Sequence, residues 1–167
     1  MQPDLSSLLL QAIAVGIGAT LAVDVWALLL RRAFGLPSLD WALVGRWLGH
    51  MTRGRFMHRR IAESTPVSGE RVLGWIFHYA IGIGFATALL LATRGTNAGQ
   101  PSLLACLLTG WITIVFPFFV MQPALGAGIA ASHMPNPGRS RLLSLLTHTV
   151  FGIGLYLAAR CVAFANG

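Results

Sequence analysis

Four stretches of this chain, about residues 5–30, 72–93, 103–121 and 142–165, run almost without charge for the length of a membrane crossing. The hydrocarbon core of a bilayer is roughly 30 Å thick, which a helix crosses in about 20 apolar residues. Inside lipid every backbone N–H and C=O needs a partner, and a helix supplies them all from its own segment. The four stretches therefore predict an all-α chain, a polytopic four-helix transmembrane bundle forming a single integral membrane domain over residues 1–167.

Composition points the same way. Charged residues make up 10% of the chain, against roughly 25% in soluble domains. A surface with so few charges must face lipid over much of its area. The five acidic residues are Asp4, Asp24, Asp40, Glu63 and Glu70, set against twelve Arg and no Lys. A net charge of +7 does not imply nucleic acid here, because no folded basic face with interleaved aromatics is left outside the membrane. Cys106 and Cys161 lie in apolar stretches and read as small hydrophobes. Met1-Gln2-Pro3-Asp4 lacks the basic region of a secretory signal, so the first hydrophobic segment is expected to remain in the mature chain.

Arginines set the orientation. The first loop, residues 31–71, carries eight of them, and Arg139 and Arg141 precede the fourth span. Only Arg94 and Arg160 fall on the other side. Positively charged loops stay in the cytoplasm, which predicts both termini outside and both large loops in the cytoplasm. Within the first loop, Leu43, Val44, Trp47, Leu48 and Met51 recur at helical spacing, opposite Asp40, Gly45, Arg46, Gly49 and His50. An amphipathic loop helix of this kind suits the headgroup region. The following basic run, with Arg53, Arg55, Arg59 and Arg60, is expected to contact anionic lipid headgroups; an anionic ligand is the sharper alternative. Thr65-Pro66 has the form of a helix start.

The second and fourth spans repeat one pattern. Arg71, His78, Gly82 and Gly84 recur 70 residues later, without a gap, as Arg141, His148, Gly152 and Gly154. At about 100° per residue, Arg, His and the first Gly of each copy share one stripe. The repeat predicts two helical hairpins related by an axis along the membrane normal. The glycines let another backbone or a flat ligand approach closely. Pro117 should kink the third span. Beyond it, MQPALGAGIAAS reads as a plain loop, with a helical extension or a re-entrant segment as alternatives, and Asn136-Pro137-Gly138 as a turn.

Depth along the spans suggests a site. Asp24, His78 and His148 each lie seven residues from an arginine at the cytoplasmic end, about 10 Å inside it. Gln122 falls at similar depth. Intramembrane ionisable groups face the protein interior, which predicts one polar cluster of Asp24, His78, Gln122 and His148, with Glu70, Arg71 and Arg141 at its mouth. Three uses remain open. The cluster is packing glue, or a proton or small-solute pathway, or a cofactor site. In the last case His78 and His148 would ligate haem b, or would join Asp24 as a two-His, one-carboxylate metal site. No catalytic residue stands out. A non-catalytic scaffold is a further alternative. Four short helices enclose little space, which favours a homodimer.

The chain also resembles a family of bacterial integral membrane proteins known only as a domain of unknown function. The resemblance rests on GIGATLAVDVW, DWALVGRWLGHM with GRFMH, TPVSGE with GWIFHYAIGIG, MQPALGAGIAAS and THTVFGIGLYL. It implies a bacterial inner-membrane location and carries over no catalytic residue.

Overall fold

The computed structural model describes residues 5–94 and 100–166. Met1–Asp4, read above as lacking a basic leader, lie outside the described residues. Every regular element among the described residues is a helix. Its elements are α1 (Leu5–Phe34), α2 (Trp41–Met51), α3 (Glu70–Thr93), α4 (Leu103–Thr113), α5 (Gln122–Leu125) and α6 (Pro137–Asn166). Four helical runs are long and apolar enough to cross a membrane: α1, α3, the run Leu103–Leu125 containing α4 and α5, and α6.

Local chemistry explains most boundaries. Ser102 caps α4 by accepting a hydrogen bond from the Ala105 N–H. Asp40 caps α2 in the same way through the Ala42 N–H. The third span carries its expected irregularity at Pro117, where Pro117–Met121 form a π-helical stretch. A proline has no N–H to donate, and a widened turn is one way a helix absorbs the gap.

Three boundaries differ from the sequence reading. Thr65-Pro66 does not start a helix. The Glu70 side chain accepts the Val67 N–H, so α3 begins at Glu70, after Gly69 in the left-handed region. Asn136-Pro137-Gly138 does not form a turn outside the fourth span. Pro137 is the first residue of α6, a position where its missing N–H costs nothing. The stretch after Gln122 is not a plain loop. It folds into α5 and a short 3-10 turn, Ile129–Ala131, with Ala124 and Ala131 buried.

Helix packing follows the two predicted hairpins. α1 packs on α3, α4 packs on α6, and α1 joins the hairpins by packing on α6. Each copy of the repeat faces the preceding span of its own hairpin. A Cβ on Gly82 would collide with Thr20 of α1, and one on Gly152 would collide with the backbone of Cys106 and Leu107 in α4. The core between the hairpins holds Val15, Ala19, Ala86, Leu89, Cys106, Phe151, Leu155 and Ala159.

A second core lies at the other end. Val44 and Trp47 of α2, Ile61 of the first loop and Ala124 of α5 form it. The first and third loops thus meet in one cap over the same end of the spans. α2 is packed inside this cap, against α3 and α5. Gly45 and His50, placed by periodicity opposite the apolar face, are both buried. The reason is backbone contact. A Cβ on Gly45 would overlap the Glu70 carbonyl, and one on Gly74 the Trp41 carbonyl, so two glycines let α2 touch α3 directly.

Candidate functional site

Asp24 projects from α1 toward α3, where the repeat stripe presents His78. His78 Nε2 lies 2.9 Å from Asp24 Oδ1, and the Tyr79 hydroxyl donates to Asp24 Oδ2 at 2.8 Å. Both carboxylate oxygens are therefore engaged. The imidazole is buried and stacks against Trp41 of α2, ring centres 3.9 Å apart at 24° between planes. Trp75 stands edge-on to it at 5.7 Å. The same two tryptophans help line an open cavity of about 400 Å³, with Arg31, Ser38, Asp40 and Arg71 among its other walls. A carboxylate–imidazole pair thus lies behind an aromatic wall of a cavity that Arg31, Arg71 and Asp40 also line.

The other members of the expected cluster are placed elsewhere. His148 turns to α4, where Nδ1 lies 3.0 Å from Thr113 Oγ1 and 3.1 Å from the Gly110 carbonyl. The repeat explains this. His148 faces the span before it as His78 faces α1, but the third span offers a hydroxyl and a carbonyl where the first offers a carboxylate. Each hairpin thus holds its own imidazole. Gln122 begins α5, and its buried Oε1 has no hydrogen-bond partner. Among the described residues no group of three or more His, Cys, Asp and Glu side chains comes together where it could hold a metal ion. No observation draws His78 and His148 to a common haem.

The residues assigned to the mouth also separate. Arg71 lines the cavity. Arg141 Nε donates to the Ala130 carbonyl at 2.8 Å, bracing the 3-10 turn. Glu70 pairs with Arg46 instead, through bonds of 2.9 and 2.8 Å to its two oxygens. Arg46 also donates to the carbonyls of Ala62 and Ser64, each at 3.1 Å. The Glu70 carboxylate first of all, opposed by burial, raises the Arg46 guanidinium above its ordinary pKa, so it stays charged. Arg46 is the residue the sequence reading underuses. The signal was present: it is the one arginine within the loop helix, and Glu70 is one of only five acids. Arg53, Arg55, Arg59 and Arg60 are exposed, and Arg60 pairs with Glu63 at 2.9 Å. Phe56 and Met57 stand exposed among them.

No curated protein and no solved structure matches the chain. A family model described as a protein of unknown function (DUF2938) matches residues 13–162. That match covers nearly all of the two hairpins and the cap, and the chain belongs to the DUF2938 family.

Proposed function

We propose that this protein handles protons, or a small anionic solute together with a proton, at the cytoplasmic face of a bacterial inner membrane. One observation carries the reading: the Asp24 carboxylate is shared by His78 and Tyr79 directly behind the tryptophan wall of the cavity. A carboxylate paired with an imidazole offers one group to take up a proton and another to pass it on. Arg31 and Arg71 supply the positive charge that would hold an anionic group while the exchange occurs. The arginine bias supports a cytoplasmic cap and periplasmic termini. Exposed Arg53, Arg55 and Arg59 beside Phe56 and Met57 suit anionic lipid headgroups at the cap's rim. The long apolar faces leave room for a second copy of the chain beside the first.

The test is proton flux in proteoliposomes carrying an internal pH dye. With an imposed pH gradient, the wild type should dissipate it faster than empty vesicles. Asp24→Asn, which keeps shape but cannot titrate, should reduce the rate at least tenfold at equal inserted yield. His78→Gln should do the same. Wild-type flux from Asp24→Asn, or no flux from the wild type with or without small anions, would overturn the reading in favour of packing glue. In that case Asp24→Asn would act only through stability.

A further inference from the structure

The cap holds two histidines that the proton reading does not use. His50 ends α2, and His58 sits in the extended segment after it; both are more than nine-tenths buried. Their rings stand 5.0 Å apart, edge to face at 86°. His50 Nε2 lies 2.9 Å from the Thr65 carbonyl. A carbonyl can only accept, so Nε2 carries the proton and Nδ1 presents a bare lone pair. That Nδ1 is buried without a hydrogen-bond partner, and so are both ring nitrogens of His58. A neutral His58 offers a second lone pair. Buried polar atoms are nearly always satisfied, and orphans in one place point to a bound water or ion.

We propose that His50 and His58 form a binding site for a divalent transition metal of the imidazole-preferring class, with zinc the foremost member. Two points of geometry support it. A metal about 2.0–2.1 Å from each nitrogen lies about 3.2 Å from each ring centre, so a tetrahedral angle sets the centres about 5 Å apart. A metal-ligating histidine also commonly donates its other N–H to a backbone carbonyl, which fixes the tautomer and the ring. His50 does this through Thr65. His58 is held from its backbone, whose N–H donates to the Ala124 carbonyl at 2.9 Å. The two ligands thus come from a rigid helix end and from a segment pinned to the third span. Two protein ligands leave coordination positions open for water or an incoming ligand. Local charge does not forbid a cation. The nearby Arg46–Glu70 pair is neutral as a unit, and Arg55 is exposed to solvent screening.

The experiment uses the full chain in detergent micelles, untagged, stripped with chelator and titrated with Zn²⁺. Calorimetry should show one equivalent bound per chain. With ¹⁵N-labelled histidine, the ring resonances of His50 and His58 should move together on adding Zn²⁺, while those of His78, His133 and His148 hold still. His50→Gln and His58→Gln should each weaken binding at least tenfold, and His133→Gln should not. Undiminished binding in His58→Gln, movement at the other histidines instead, or ring resonances that ignore Zn²⁺ would overturn the site; the last outcome means a bridging water. The wild-type spectrum decides the matter even if a variant fails to fold. None of these readouts depends on proton flux.

Discussion

Arg46 shows how much one side chain can organise. It binds the Glu70 carboxylate through two bonds and reaches two loop carbonyls, with the pair's side chains only 12% and 17% exposed. Arg46→Ala would leave Glu70 charged and largely desolvated, with the Val67 N–H in place of a counter-charge. Fully buried pairs cost roughly 3–5 kcal/mol when broken one-sidedly and exposed ones under about 1, so a loss of about 2 kcal/mol is expected. Thermal unfolding in detergent would read it, and Arg46→Lys should recover only part, since an ammonium cannot form the two-pronged contact. An unchanged melting temperature in Arg46→Ala would remove the clamp from the account. At this scale the sequence discloses some partners and hides others. Asp24 and His78 could be set at one depth because each lies seven residues from an arginine, and they do touch. Depth does not say which neighbour a stripe faces: His148, set at the same depth, bonds to Thr113 and the Gly110 carbonyl, and Gln122 Oε1 is buried without a hydrogen-bond partner. His50 and His58 gave no signal at all, because an eight-residue separation across a helix end and an extended segment has no period to detect.

Among the elements, α2 depends on an unusually direct contact. Gly45 and Gly74 bring its backbone against α3, and a side chain on Gly74 would run into the Trp41 carbonyl. Gly74→Leu should lift α2 from α3 at a cost of roughly 1–3 kcal/mol. Trypsin should then cut the exposed run at Arg53 and Arg55 several-fold faster. Gly84→Leu is the matched control, because nothing lies within 4 Å of its added Cβ. Equal cleavage in both variants would mean that the glycine contact does not hold α2. The element itself was legible from apolar spacing. Its burial on both faces was not, since glycine scores as neutral on a periodicity plot and a histidine as polar. The hairpin repeat was legible for a firmer reason: a fixed pattern recurring over 14 residues survives on two helices that meet their partners through the same stripe.

For the whole molecule, the four spans follow from composition that any reading would find, while the meeting of two loops in one cap does not. Nothing in the one-dimensional pattern links Ile61 to Ala124. Orientation is the prediction that belongs here. With ten of twelve arginines on the cap side, alkaline phosphatase fused after Gly167 should be active and a fluorescent reporter confined to the cytoplasm should stay dark. The reverse pattern would invert the protein and place the cavity in the periplasm.

The shared cap also sets an order of events during synthesis. His58 is pinned by the Ala124 carbonyl, and Ile61 packs in a core with Ala124. When the first loop leaves the ribosome, those partners have not yet been made. α2 can settle on α3 once the second span is made, but two spans must be threaded and a third nearly finished before the loop can close on Ala124. Until then Ile61, and the side of Val44 and Trp47 that does not meet α3, have only the membrane surface or a chaperone to shelter them. A chain stalled within the third span would therefore carry an open, sticky cap, visible to quality-control proteases well before the fourth helix is missed.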